Sequence, residues 1–146
     1  MVYLGADHGG YALKERIKDW LLEWGEVYTD LGANVMDEND DYPVFALEVA
    51  KAVASDESGR GILLCRSGGG MVMVANKLKS VRAVAVSDVR SAIHAREHNN
   101  ANIISLAADW VTEENAKAAL AAFLQTPFTE EERHVRRLKL ISNLGS

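Results

Sequence analysis

Three short clusters of polar and glycine residues carry the side chains with which this 146-residue chain could do chemistry. They lie at residues 5–10, 65–70 and 96–100. Glycines leave backbone N–H groups open to an anion, and cysteine and histidine can move protons near neutral pH. This combination favours a site that holds a negatively charged ligand and transfers a proton.

The second cluster is the most informative of the three, and it reads Cys65-Arg66-Ser67-Gly68-Gly69-Gly70. It lacks the Gly-Lys-Ser/Thr ending of a Walker loop, and its glycine spacing is not that of the dinucleotide fingerprint. A thiol at a helix start can have its pKa lowered, which gives a thiolate able to take a proton or attack carbon. The alternatives are a core cysteine and glycines that only make a tight turn.

Histidines in the other two clusters allow more than one interpretation. His8 could hold a phosphate or orient a hydroxyl group, and it could equally be a loop histidine without a role. His98 lies four residues after His94 on a predicted helix. The intervening Arg96 and Glu97 do not make the zinc-protease pattern, so we expect no metal site.

The last predicted helix carries basic residues on one face. Arg133 and Arg137 are four residues apart, so they share a face and could bind a phosphate or carboxylate. The alternative is a solvated basic face that balances the acidic start of the helix. That start, Thr129-Glu130-Glu131-Glu132, predicts a capping box with Thr129 as the N-cap.

Short apolar runs alternate with amphipathic segments, and this alternation predicts the elements that position the clusters. We predict strands at residues 2–4, 27–31, 61–65, 83–86 and 102–106, with helices at about 13–24, 45–53, 71–77, 88–98, 112–124 and 130–144. Five such alternations favour an α/β fold with a parallel sheet between two helical layers. Ligands of such folds sit beyond the carboxyl ends of the strands, where we expect the three clusters to meet.

Composition excludes several classes of protein. Sixteen Lys+Arg against twenty-one Asp+Glu give a net charge of −5 without a basic stripe, which argues against nucleic-acid binding. No apolar run approaches a membrane span, and the N-terminus has no signal-peptide pattern. The single Cys65 excludes an internal disulfide and a cysteine-rich zinc site. We therefore expect one cytoplasmic domain over residues 1–146.

Taken in order, these motifs resemble the ribose-5-phosphate isomerase B / galactose-6-phosphate isomerase family. The resemblance runs through residues 5–14, 41–43, 61–65, 67–68, 75–77, 81–83 and 95–102, and through Arg133, His134 and Arg137. It implies a three-layer, Rossmann-like α/β/α sandwich with a five-stranded parallel sheet. It also implies a homodimer or a dimer of dimers, with active sites at the subunit interface. The implied reaction is aldose–ketose isomerisation of a sugar phosphate, without metal or organic cofactor.

The resemblance implies roles for individual residues. Cys65 would be the base that moves a proton between carbon 2 and carbon 1, and His98 would open the sugar ring. Ser67 stands where the family usually has threonine, and both residues offer a hydroxyl group. Backbone N–H groups would hold the enediolate oxygens, from Ser67 through Gly68, Gly69 and Gly70 to Met71. The sugar would contact Asp7, Tyr42 and Asn99, and the phosphate would contact His8, Arg133 and Arg137, with both arginines reaching the partner's site.

Two positions depart from the family pattern and leave the substrate open. Arg66 replaces a usual glycine, and Asp109 stands where phosphopentose isomerases commonly have arginine. In one hypothesis, Arg66 takes over phosphate binding and the substrate is ribose 5-phosphate or another sugar phosphate, a tetrose or a hexose. In the other, the site has lost part of its hold on phosphate, and Asp109 hydrogen-bonds a hydroxyl group of a different sugar, which includes an unphosphorylated one. A binding protein that senses a sugar phosphate without converting it is the alternative from another class, and a generic nucleotide-binding domain lacks its fingerprint.

Overall fold

The computed structural model describes residues 1–145, in which strands and helices alternate along the chain. The five strands are β1 (Val2–Ala6), β2 (Tyr28–Asp30), β3 (Arg60–Cys65), β4 (Ala83–Ala85) and β5 (Ile103–Ala107). The six helices are α1 (Tyr11–Glu23), α2 (Tyr42–Ala54), α3 (Gly69–Ala75), α4 (Val89–Glu97), α5 (Glu113–Gln125) and α6 (Glu132–Ser142). Every predicted strand and helix is present, with ends that differ by a few residues.

All strands are parallel and form one sheet in the order β2-β1-β3-β5-β4. Strand β3 lies at the centre and is buried from Gly61 to Cys65, which explains its almost uninterrupted apolar sequence. In the register of the central pair, Gly61 faces Ile103 and Cys65 faces Ala107. Residues that follow Cys65 and Ala107 therefore emerge side by side at the carboxyl edge of the sheet.

Two separate hydrophobic clusters cover the two faces of the sheet. Helices α1, α4 and α5 pack on one face through residues such as Ile17, Ala92 and Phe123. Helices α2 and α3 pack on the other face through residues such as Val49 and Met71. The predicted Rossmann-like three-layer sandwich with a five-stranded parallel sheet is therefore confirmed.

A buried lysine fixes the start of the loop that leads from β2 to α2. Lys14 of α1 is fully buried, and its Nζ donates to Oδ2 of Asp30 at 2.6 Å and to the carbonyl of Ala33 at 2.7 Å. Such pairing offsets the cost of burying an ammonium group. The loop is thereby held against α1 before it reaches the residues that approach the candidate site.

The predicted capping box at the last helix is wrong. Helix α6 begins at Glu132 with Glu131 as its N-cap, and no side chain caps it. Thr129 instead donates its hydroxyl to the carbonyl of Glu97 at the end of α4, at 3.0 Å. The side chain that the local sequence predicts as the helix cap therefore makes a tertiary contact instead.

Among residues 1–145, no helix has both the length and the apolar character that a membrane span requires.

Candidate active site

The loop after β1 turns the chain sharply into α1 and buries an acidic side chain. Asp7 is 6% exposed, and its Oδ1 accepts from the backbone N–H groups of Gly9 at 2.9 Å and Gly10 at 3.2 Å. Gly10 lies so close to the backbone of Leu64 that a Cβ atom there would come within 2.5 Å of its carbonyl oxygen. The first loop is thus packed directly against the end of β3.

The loop after β3 is shaped around the sulfur of Cys65. Gly68 adopts a left-handed conformation, with φ of 81°, which favours glycine. In this conformation its N–H donates to Sγ of Cys65 at 3.0 Å, while its carbonyl accepts from the hydroxyl of Ser105 at 2.8 Å. The N–H groups of Ser67 and Met71 also face the sulfur. Backbone donors therefore converge on the thiol, and they can converge equally on an anionic atom placed beside it.

Burial raises the pKa of the Cys65 thiol above its ordinary value. The hydrogen bond from Gly68 opposes this effect, the charge of Asp7 adds to it, and the N–H groups of Ser67 and Met71 oppose it; burial dominates. The lowering of the thiol pKa that a helix start can cause is therefore outweighed by burial in the free protein. The reasons are that Cys65 is only 6% exposed and that α3 spans just seven residues.

Tyr42 closes one side of this loop. It is the first residue of α2, and its ring packs against the α-carbon of Gly70, where a side chain would overlap the ring. The side chain of Met71 is fully buried in the core, so Met71 can offer only its backbone N–H to a ligand. Ser67 and Gly69 of the same loop are exposed, so a ligand can reach the loop from solvent.

The two residues that depart from the family pattern are in contact with each other. Nη1 of Arg66 lies 3.5 Å from Oδ2 of Asp109, and both side chains are partly exposed. The Arg66 stem also lies against Gly9, where a Cβ atom would come within 2.5 Å of its Cγ. Because Asp109 has a cationic neighbour, its charge is partly offset at the place where a phosphate is expected.

A residue that the sequence did not indicate, Asp40, joins the first loop. Its Oδ1 lies 2.8 Å from Nδ1 of His8 and also accepts from the backbone N–H of His8 at 3.0 Å. One polar atom from each of Asp7, His8 and Asp40 lies within 4.8 Å of the corresponding atoms of the other two residues. The only available signal was that Asp40 adjoins the motif Asp41-Tyr42-Pro43.

Four predicted site residues lie elsewhere in the chain, at the amino edge of the sheet. Helix α4 follows β4 and runs antiparallel to the strands, so its end carries His98 and Asn99 away from Cys65. The next residues hydrogen-bond at the strand starts, where Asn102 donates to the carbonyl of Arg82 at 3.0 Å. The strand rise between Gly61 and Cys65 alone separates the two edges by about 13 Å.

The end of α4 carries a stack of three histidine rings. The His98 ring lies 4.2 Å, centre to centre, from the ring of His94 and from that of His134 on α6. Helix α6 therefore begins beside His98, with Arg133 exposed next to it and Arg137 one turn further along. His98, Asn99, Arg133 and Arg137 form a second group, which we call the amino-edge group.

Two arginines fix the turn that bears this group. Arg96 is buried, and its Nη1 donates to the carbonyl of Ala101 at 2.7 Å and to Oδ1 of Asn100 at 3.0 Å. Nε of Arg82 donates to the carbonyl of Asn100 at 2.7 Å. Burial lowers the pKa of Arg96 to about 10, and the nearby Arg60 and Arg82 add to that shift.

The expectation that all three clusters meet in one chain is therefore wrong for the third. The carboxyl-edge group brings eleven predicted residues together: Asp7, His8, Tyr42, Cys65, Arg66, Ser67, Gly68, Gly69, Gly70, Met71 and Asp109. The amino-edge group is fixed by its own hydrogen bonds and ring contacts, but it lies at the opposite edge of the sheet. A crossover helix must return to the amino edge before the next parallel strand can start, and this return separates the clusters.

The fold and the carboxyl-edge group define a Rossmann-like domain with an anion-holding loop beside a buried thiol. The chain belongs to the ribose/galactose isomerase family, whose model matches residues 2–141. Ribose-5-phosphate isomerase B of Mycobacterium tuberculosis is 40% identical over 141 residues, which cover 97% of this chain and 87% of that protein.

Solved structures agree with this assignment. The chain superposes with a TM-score of 0.93 on ribose-5-phosphate isomerase B from Mycoplasma genitalium, crystallised with bound ribulose-5-phosphate; identity is 38%, and coverage is 97% of this chain and 93% of that one. The Thermotoga maritima ribose 5-phosphate isomerase also gives a TM-score of 0.93, at 36% identity and with coverage of 98% and 97%.

Proposed function

We propose that this protein is an aldose–ketose isomerase that interconverts ribose 5-phosphate and ribulose 5-phosphate through an enediolate, with Cys65 as the base. The observation that supports it most directly is the convergence of loop N–H groups on the buried Cys65 sulfur beside Asp7. The family membership and the ribulose-5-phosphate bound to the Mycoplasma genitalium relative favour the same reaction.

The proposed step needs a base and a place for negative charge. The Cys65 thiolate takes the proton from carbon 2 of the open-chain aldose, and the electron pair moves onto the carbonyl oxygen at carbon 1. The N–H groups of Ser67, Gly68 and Met71 hold the resulting enediolate in fixed positions. The proton of the hydroxyl group on carbon 2 passes to the oxygen on carbon 1. The Cys65 thiol, whose proton partly exchanges with solvent, then protonates carbon 1, which leaves the carbonyl at carbon 2.

Proton NMR in heavy water tests this function. The protein is incubated with ribose 5-phosphate in one tube, and with tetrose and hexose phosphates or unphosphorylated sugars in others. We expect ketose formation with deuterium at carbon 2 of the remaining aldose only in the ribose 5-phosphate tube. If only an unphosphorylated sugar exchanged its proton, Asp109 would have changed the substrate specificity of the site. If none of the sugars exchanged, the result would favour the sensor.

A phosphorylated substrate is supported by the cations on the carboxyl-edge group. Arg66 and His8 lie on adjacent loops, and Asp109 faces Arg66. We expect Arg66→Gln to raise KM for ribose 5-phosphate about tenfold with kcat nearly unchanged, because one charge-assisted contact to the phosphate is lost. Steady-state kinetics check this, with Lys51→Gln on the exposed face of α2 as the matched control.

The converse substitution separates the two hypotheses about Asp109. If the site has lost part of its hold on phosphate, Asp109→Arg should lower KM for ribose 5-phosphate. If Arg66 already does this work, a second arginine beside it repels the first, and KM should stay the same or rise. We favour the second outcome because Asp109 contacts Arg66.

We further propose that the active protein is a homodimer, alone or within a dimer of dimers. A two-fold axis can bring the amino-edge group of one chain to the carboxyl-edge group of the other, so that His98, Asn99, Arg133 and Arg137 complete the partner's site. Exposed apolar side chains near the loops, among them Val44 and Met73, offer surface for such an interface.

A lone free cysteine suits the reducing cytoplasm, where we place the protein.

A further inference from the structure

The loop between β2 and α2 holds His8 through a single carboxylate oxygen. Oδ1 of Asp40 accepts from the backbone N–H of His8 at 3.0 Å and lies 2.8 Å from Nδ1 of its ring. These two contacts, thirty-two residues apart in sequence, fix both the chain direction and the ring of His8. When Nδ1 carries the proton donated to Asp40, Nε2 is the ring nitrogen left to face a ligand.

The charge balance around this pair favours a protonated ring. The Asp40 side chain is 10% exposed, and its Oδ2 is buried with no hydrogen-bond donor among residues 1–145. A carboxylate in this position requires a cation close by. The hydrogen bond to Asp40 is the main cause that raises the pKa of His8; burial opposes it, the charges of Asp7 and Asp40 add to it, and Arg66 opposes it.

We propose that Asp40 is a positioning residue for phosphate recognition: it holds Nδ1–H of His8 so that Nε2–H is presented to a phosphate oxygen of the substrate. Asp40 itself does not touch the substrate. The inference rests on the proposed function for the identity of the phosphate ester, but the hydrogen-bonded pair can be tested without any turnover. Arg66 is near enough for its charge to act on the same ring, so we expect both cations to bind one dianion.

The first measurement is a ¹H–¹⁵N NMR titration of the His8 ring in the parent protein and in Asp40→Asn, with the signal assigned by a His8→Asn variant. We expect the parent ring to stay protonated to higher pH than the ring in Asp40→Asn. With inorganic phosphate as the probe, Asp40→Asn should bind about tenfold more weakly at pH 7.5, because a charge-assisted donor is lost. The two affinities should be much closer at pH 5.5, because the ring gains its proton in both proteins as the pH falls.

Enzyme kinetics provide the second measurement. Asp40→Asn should raise KM for ribose 5-phosphate at pH 7.5 with kcat nearly unchanged, and this effect should be much smaller at pH 5.5. Asp37→Asn is the matched control, since Asp37 lies exposed in the same loop and its side chain accepts from the backbone N–H of Asn39, a bond that the amide oxygen of asparagine can also accept. A merely structural role for Asp40 would weaken binding equally at both pH values, and would overturn the proposal.

Three further outcomes of these experiments also test the proposed role of Asp40. An unchanged His8 titration in Asp40→Asn would overturn the proposal whether or not the protein isomerises sugars. If Mn²⁺ or Zn²⁺ bound to the Asp7–His8–Asp40 group and a chelator abolished phosphate binding, the group would be a metal site and the proposal would be wrong. If the titration and phosphate binding behave as expected while no sugar is converted, the proposed function fails and the pairing of Asp40 with His8 stands.

Discussion

Replacing Cys65 by alanine should lower kcat for ribose 5-phosphate by about a thousandfold, because the group proposed to take the proton from carbon 2 is lost. Binding should change little, since the backbone donors of the loop and the cations Arg66 and His8 remain. Cys65 is only 6% exposed, so loss of its sulfur removes few contacts with a ligand. Steady-state kinetics measure the first effect, and isothermal titration calorimetry with ribose 5-phosphate measures the second.

Cys65→Ser serves as the matched control for size and hydrogen bonding. Its hydroxyl can accept from Gly68 as the sulfur does, but it does not ionise in the accessible pH range. It should therefore be nearly as inactive as the alanine variant while it binds the sugar phosphate normally. If Cys65→Ala kept most of the turnover, Cys65 would not be the base. A parent protein that binds but shows no turnover, with binding lost in Cys65→Ala, would instead favour the sensor.

The sequence was sufficient to predict the sheet and the residues around the thiol. The apolar run at residues 61–65 is typical of a central parallel strand, and the glycines after it favour a close turn that leads into a helix. Because strand ends of a parallel sheet meet at one edge, Asp7 and Cys65 had to come together. These inferences depend only on local pattern and on chain direction.

Contacts between loops could not be predicted in the same way. Arg66 and Asp109 are 43 positions apart by their numbering, and their contact arises because Cys65 pairs with Ala107 in the sheet. The Asp40–His8 contact depends on the course of the loop that follows β2, which no periodicity encodes. The ionisation of Cys65 likewise depends on burial, which opposes the effect of the helix start.

The direction of α4 explains why a single chain does not bring His98 close to Cys65. His98 and Cys65 belong to one motif set in sequence, yet α4 delivers His98 to the amino edge. The stack with His134 and the bonds made by Arg96 keep His98 there. A rearrangement within one chain that brought the two residues together would have to break these contacts. In the proposed dimer, a second copy of the chain would bring the two residues together without any such loss.

Two inactive variants should therefore restore each other's activity. Cys65→Ala and His98→Asn, the latter expected to be at least about a hundredfold slower, are co-expressed with different affinity tags, and doubly tagged dimers are isolated. In each mixed dimer, one site combines an intact Cys65 with an intact His98 from the other chain, and the second site lacks both. The mixed dimer should therefore show about half of the parental activity per dimer, as two-fold symmetry requires.

The reciprocal pairing makes this result unambiguous. A chain that carries both substitutions, paired with the parental chain, gives a dimer in which each site contains one defect if the sites are shared between subunits. That dimer should be almost inactive. If Cys65 and His98 acted within one chain, it would instead keep about half of the parental activity, and the mixed dimer of single variants would have none. Sites shared between subunits make only the mixed dimer of single variants active, and sites within one chain make only the other dimer active. One pair of assays therefore decides whether the amino-edge group acts in the partner's site.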